Sequence, residues 1–418
     1  GETPDFDVQP NSLHSDFFVN HLWQQGERPF YIDRLVQRLL FLRREARNVN
    51  ADGSVCDSSF FTNRIGKNPM TRKQIMTGAN THAGPDMSKP WTILKGKTHG
   101  RSTGFFIEDA KGNQYLLKLD YSAFPDMNSS AEIISSRLFH ALGYFVPEYH
   151  VVYFSHDQLQ LGQNVTYYDD TGFKKPLTED GLHDMLRKAY MNTKGQYRAS
   201  ASRILDGWVL GSMSLRGRRA KDPQDPIVHE DRRELRGLRV FCSWVNHFDM
   251  RRGNTLDVLK RSDDGWYIRH YLIDFGATLG AFIGKPKYPE TGHEYIISLG
   301  EILKSIVSLG FYKRPWERLD EINPHIGYFT NENFDPAQWK PHMPNYAFQN
   351  MTLRDARWAA RILQKVTDDN IVAAVDAGQI SDQQARAELI KKLIERRDSI
   401  VRYWLGEKKE AVRESWVR

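Results

Sequence analysis

Two cysteines in 418 residues, Cys56 and Cys242, are too few for a disulfide framework or a cysteine-rich metal site. Long uncharged apolar runs are missing and the mean hydropathy is −0.59, which excludes a membrane-spanning helix within this sequence. Internal repeats and low-complexity tracts are also absent, so repeat arrays and linker-dominated chains are excluded. Nor does one sign of charge dominate: 58 Lys and Arg face 52 Asp and Glu, for a net +6. That balance gives no broad field for a polyanion and argues against nucleic acid as a partner. Basic residues bunch at Arg216 to Lys221 and within Asp231 to Arg239, and solvated faces and loops account for most such runs.

What is present is a chain that is 40% hydrophobic and 12% aromatic, enough for one large core or two packed lobes. "YIDRLVQRLLFLRREARNV" has helical spacing and leads into loops rich in Gly, Asn, Asp and Pro. From Trp91 strands take over: "WTILKG", "TGFFIED", a turn at "DAKGN", then "YLLKLD", which together predict a hairpin. "NSSAEIISSRLFHALG" predicts a helix capped by Asn128 or Ser129 and closed by Gly143, and "YHVVYF" a further strand. After about residue 156 the pattern is mostly helical, apart from hairpin-like pieces near "NVTYYDDTG" and "GWYIRHYLIDFG". Two amphipathic helices close the chain, the second opened by a capping box of Ser381 with Gln384. The break between them, "DAGQIS", has the outline of a DNA-binding corner but presents no base-reading helix.

Chemistry emerges from the order of the polar residues. Lys118 lies on a strand whose Leu117 and Leu119 point the other way, and Glu132 follows on the next helix. Asp249, Asn254 and Asp274 come later, in "HFDMRRGN" and "IDFG". Phosphoryl transfer needs a cation on the nucleotide phosphates and an anchor for that cation. It also needs oxygen ligands for Mg²⁺ and a carboxylate to orient the attacking hydroxyl. Lys118, Glu132, the pair Asn254 and Asp274, and Asp249 fill those roles in turn.

With these residues in place, the chain resembles the protein kinase-like superfamily. "HFDMRRGN" matches the catalytic-loop pattern His-x-Asp-x4-Asn, "IDFG" the metal-binding Asp-Phe-Gly, and "LLKLD" the phosphate-binding lysine strand. The resemblance covers residues 91 to 280. It implies an α+β, bilobal kinase-like fold with a small β-rich N-lobe and a larger, mainly helical C-lobe. The implied organisation is an N-terminal extension over 1–90 wrapping the core, an N-lobe over 91–155, a C-lobe over 156–350 and a C-terminal helical extension over 351–418. The adenine site is then expected at a hinge after "YHVVYF", around Tyr153 to Ser155. The implied activity is an ATP- and Mg²⁺-dependent transfer of the γ-phosphate to a hydroxyl acceptor on a protein, lipid or small molecule; Mn²⁺ fits as well. Asp249 is the expected catalytic carboxylate. Arg251 sits where it could neutralise the transferred phosphoryl group, with a plain salt bridge as the equal alternative.

Departures point to an atypical branch. Phe248 stands where many kinases carry arginine, so control through a phosphorylated activation loop paired to that arginine is not expected. The glycine loop "KGKTHGRSTG" spaces Gly96, Gly100 and Gly104 by four instead of following Gly-x-Gly-x-x-Gly, yet still offers backbone N–H groups to phosphates. The pattern looks similar to HipA-type kinases, the actin-fragmin kinase, phosphoinositide kinases and bacterial kinase-like proteins. That resemblance, with a first residue that is not methionine, leans toward a bacterial cell envelope or periplasm, with the cytoplasm as the alternative. Two other readings stand beside the kinase: transfer of AMP to a protein hydroxyl on the same fold, and a nucleotide-binding scaffold without turnover.

Overall fold

Strand alternation sets the first layer. The computed structural model describes residues 44–96, 103–168, 173–219, 222–295, 299–309, 311–314, 316, 322–332 and 334–406. A short helix, α1 (Arg72–Thr77), precedes an antiparallel meander of β1 (Trp91–Gly96), β2 (Gly104–Glu108) and β3 (Gln114–Leu119). The expected turn between β2 and β3 is held by Asp109, whose carboxylate accepts the N–H groups of Lys111 and Asn113 at 2.9 Å each. In β3, Leu117 and Leu119 enter an apolar core on one face while Lys118 is buried on the other, as the period of two requires.

Next come α2 (Met127–Leu142), β4 (Tyr149–Phe154), β5 (Leu159–Leu161), the paired β6 (Thr166–Tyr168) and β7 (Lys174–Pro176), α3 (Glu179–Leu186) and β8 (Tyr197–Arg203). The first sheet has the order β4-β8-β3-β2-β1-β5. One face packs with α3 around Trp91, Phe105, Tyr115 and Phe154. The helix α2 lies against β3, β4 and β8. Its C-terminus stops at Gly143 with φ 122°, where an added Cβ would lie 2.2 Å from the Phe61 ring. Its N-terminus departs from the expected cap: Asp126 precedes it in a left-handed conformation, and Asp120 accepts the Ser129 N–H at 2.8 Å and its hydroxyl at 2.5 Å. A carboxylate from the preceding strand end thus replaces a local Asn or Ser.

Because β8 inserts between β4 and β3, the β-rich lobe does not end at residue 155. The chain leaves it after Arg203, through residues 204–207, to reach β9 (Trp208–Gly211). The hinge expected at Tyr153 to Ser155 is therefore corrected: that segment ends the edge strand β4 and runs on to β5 in the same sheet. Segment 156–211 is correspondingly richer in strand than its pattern suggested, because three-residue strands carry too few residues to show alternation.

The second lobe holds α4 (Arg233–Val245), the hairpin β10 (Thr255–Ser262) and β11 (Gly265–Leu272) in a sheet ordered β11-β10-β9, and the small pair β12 (Ala281–Phe282) and β13 (Lys285–Pro286). It continues with α5 (Leu299–Val307), α6 (Tyr346–Gln349), α7 (Leu353–Gln364), α8 (Asp368–Ala377) and α9 (Gln383–Leu405). Asp382, not Ser381, caps α9, accepting the Ala385 N–H; Ser381 instead donates its hydroxyl and N–H to Asp126. One apolar core joins α2, α4, α7, α8 and α9 with Val55, Phe60, Phe61, Ile65 and Ile75 of the segment before β1. The architecture is α+β, with a β-rich lobe and a mainly helical one. Of the helix expected over residues 31–49, residues 31–43 lie outside the described residues, and residues 44–49 are not helical. Among the described residues no helix is long and apolar enough to cross a membrane.

Candidate active site

The site lies where the two lobes meet, and each lobe contributes charged groups to it. Lys118 on β3 donates its ammonium to Glu132 of α2 and, at 2.8 Å, to Asp274 just after β11. Exposure is graded along this chain of charges: Glu132 is fully buried, the Lys118 side chain is 5% exposed and that of Asp274 43%. Asp274 is therefore the member open to a ligand. Burial alone would lower the Lys118 pKa, but Asp274 and then Glu132 outweigh it and raise it, so the ammonium is fixed as a cation. The second oxygen of Glu132 accepts the Phe275 N–H at 2.9 Å, so Glu132 binds both the lysine and the backbone of "IDFG".

Local backbone explains how Asp274 is presented. It takes φ 60°, a left-handed conformation sparsely used by residues other than glycine, and its N–H donates to the Tyr149 hydroxyl at 3.2 Å. Phe275 is buried, stacked on Phe139 of α2. A Cβ at Gly276 would fall 2.8 Å from Asn128 Oδ1 and 3.1 Å from Glu132 Oε1, so a side chain there would push on the polar groups around Asp274.

The other half of the site follows α4. That helix ends at Asn246 in the left-handed conformation, with the Asn246 N–H on the Cys242 carbonyl, and the chain turns into 247–254. Phe248 is fully buried against Phe282 and His342, which accounts for an apolar residue there. Asn254 Nδ2 donates to the Asp249 carbonyl at 2.7 Å and to its carboxylate at 3.0 Å. Arg251 Nε donates to the other Asp249 oxygen at 3.1 Å. The Ile273 N–H on the Asn254 carbonyl, 3.0 Å, places Asp274 next to the cross-strand neighbour of Asn254. Burial raises the Asp249 pKa and the like charge of Asp274 adds to it, against the opposing pull of Arg251. His247 packs against the rings of both Phe139 and Phe275, and burial takes its pKa down to about 4, so it packs as a neutral ring.

Of the expected site residues, the structure thus draws together Lys118, Glu132, Asp249, Arg251, Asn254 and Asp274. The glycines divide differently. Gly100 lies outside the described residues. A Cβ on Gly104 would be 2.3 Å from the Leu117 carbonyl oxygen, and one on Gly96 2.5 Å from the Tyr167 Cβ, so packing within the lobe already demands both. Sequence reading missed Tyr149 and Asn128 as neighbours of the charged chain. Tyr149 reads as an ordinary strand aromatic and Asn128 as a cap, so neither carried a signal.

The donor set suits a hard divalent cation. With its amide N–H groups on Asp249, Asn254 has its carbonyl oxygen left as a ligand atom, and Asp274 supplies a carboxylate open to solvent.

No protein-family model matches this chain, and no curated protein is significantly similar to it in sequence. Among solved structures, it is similar to the Helicobacter pylori proinflammatory kinase CtkA at 15% identity and TM-score 0.36, over 72% of this chain and 94% of that one. It is also similar to the hydra Fam20 solved with sugar, at 11% identity and TM-score 0.39, over 78% of this chain and 88% of that one. The Golgi casein kinase with Mn/ADP bound aligns at 9% identity and TM-score 0.34, over 97% of this chain and 95% of that one.

Proposed function

We propose that the protein is an ATP-dependent phosphotransferase using Mg²⁺, or Mn²⁺ in its place, which moves the γ-phosphate to a hydroxyl acceptor. The supporting observation is the buried Lys118–Glu132 pair linked to the open carboxylate of Asp274, facing a loop that carries Asp249 and Asn254. A lysine held charged by two carboxylates would take the phosphates of a nucleotide, and Glu132 would fix its position. Asn254 Oδ1 and Asp274 would hold the cation, which supplies charge neutralisation to the phosphate oxygens. Asp249, with its pKa raised, would accept the proton of the acceptor hydroxyl, and Arg251 would hold its carboxylate in orientation.

The test follows label from ATP into any product, including the chain itself and water, with wild type, Asp249→Ala and Asp274→Ala. Transfer from the γ-position, reduced about 10²–10⁴-fold in the Asp249 variant, is the expected result. Transfer of α-label would establish AMP transfer instead. Nucleotide-dependent thermal stabilisation with no transfer of either label would make the chain a scaffold. Equal transfer in all three proteins would remove these residues from the chemistry.

A further inference from the structure

A second polar cluster lies behind the hairpin β10–β11. Asp222, Asp225 and His270 are all buried, and one ligand atom from each lies within 4.8 Å of the other two. His270 Nδ1 is already on Asp257 Oδ1 at 2.7 Å, while its Nε2 is buried without a hydrogen-bond partner. The residue is 4% exposed. A buried imidazole nitrogen left unsatisfied beside two carboxylates is costly unless something occupies it. We infer that Asp222, Asp225 and His270 form a binding site for a divalent transition ion of the zinc type.

The surroundings have the form that such a site needs. Metal-bound histidines place their second nitrogen on a carboxylate that fixes the ring, and Asp257 does this for His270. Asp257 is in turn held by Arg219 at 2.8 and 3.0 Å. Phe60 stacks on the His270 ring at 3.6 Å between centroids, which orients it further. Arg232 donates to one Asp225 oxygen and His229 Nε2 lies 2.7 Å from the other. Asp222 accepts the Gln224 N–H at 3.0 Å and has no cationic side chain paired with it among the described residues. The Asp222 charge is not compensated by a cationic side chain among the described residues, Asp225 adds a carboxylate oxygen, and the imidazole selects a transition ion over Mg²⁺ or Ca²⁺.

Placement gives the site its consequence. Asp257 and His270 are cross-strand partners on the hairpin whose two ends carry Asn254 and Asp274. Asp222 and Asp225 come from the loop beyond the basic run Arg216 to Lys221. An ion there would staple this loop to the hairpin that positions the candidate active site, without entering it.

The test uses the full chain, untagged and stripped of metal, titrated with Zn²⁺ against a chromophoric chelator in excess Mg²⁺ to occupy the cleft. One tight equivalent is expected in wild type and in Asp274→Ala. Asp222→Asn keeps the oxygen that accepts the Gln224 N–H but loses the charge, and it should bind at least 10-fold more weakly, as should His270→Gln. Should either variant fail to fold, a Zn²⁺-specific rise in the wild-type Tm, not reproduced by Mg²⁺, decides. No stoichiometric Zn²⁺ in wild type, or binding lost in Asp274→Ala and kept in Asp222→Asn, overturns the inference. None of these readouts depends on phosphoryl transfer, so this site and the proposed activity fail or stand separately.

Discussion

Replacing Lys118 by Met and Glu132 by Gln, singly and together, measures whether the buried ion pair is a coupled unit. Lys118→Met leaves Glu132, which is fully buried, with the Phe275 N–H as its remaining described donor. Breaking a buried pair from one side costs about 3–5 kcal/mol. Asp274, being 43% exposed, rehydrates and adds little to that cost. In Glu132→Gln, Lys118 keeps Asp274 at 2.8 Å, but the new amide N–H must face either the ammonium or the Phe275 N–H. One such mismatch is worth about 1–3 kcal/mol. The double variant removes both conflicts, so its loss should fall short of the sum of the singles by about 1–3 kcal/mol. Urea unfolding at pH 7 gives each free energy from the midpoint and slope. The sign of the pH dependence is a second check. Burial raises the Glu132 pKa above that of the unfolded chain, and loss of the lysine raises it further. The folded state then holds the extra proton, so Lys118→Met loses stability as pH rises from the ordinary carboxylate range through the raised value. Additivity within about 0.5 kcal/mol would refute the coupling.

Three further outcomes follow from the same geometry. Because burial raises the Asp249 pKa and the base must be ionised, the acid limb of the kcat/KM profile should lie above the ordinary carboxylate range, and Asp249→Asn should abolish it. His247 has its pKa depressed to about 4 from 6.5, so the unfolded chain binds the extra proton between those values. Stability should fall by about 1.4 kcal/mol per pH unit from this residue as pH drops through that window, and His247→Leu should flatten the slope in acid unfolding. Gly143→Ala forces a side chain into φ 122° and onto the Phe61 ring, and should cost about 1–3 kcal/mol, read as a lower Tm.

The charged residues that the structure draws together were legible because phosphoryl transfer, the proposed reaction, would require those residue types in that order, and alternation on β3 already separated Lys118 from its leucine neighbours. Long, strongly periodic elements such as α7 and α9 were legible for the same reason. The lobe boundary was not. Strands β5, β6 and β7 have three residues each, too short for a period, and the return of β8 to the first sheet is a long-range pairing that no local pattern encodes. Caps supplied from a distance were equally hidden. Asp120 serves the start of α2 from nine residues away, and buried Arg198 ties Asp126 to the carbonyls of Gly378 and Gln379 in the turn between α8 and α9. Gly96 and Gly104 show the converse: glycines that fit a phosphate loop are also required by strand packing, and sequence cannot separate the two demands.

The central claim is that Asn254 and Asp274 share a metal in front of a nucleotide held by Lys118. A crystal structure with a non-hydrolysable ATP analogue and Mn²⁺ tests it most directly, because anomalous scattering locates the ion without interpretation. The account predicts Mn²⁺ bound by Asn254 Oδ1 and the Asp274 carboxylate, phosphates on Lys118 Nζ, and the γ-phosphate facing Asp249. Nucleotide bound elsewhere, or Mn²⁺ absent from those two side chains with nucleotide present, would contradict it.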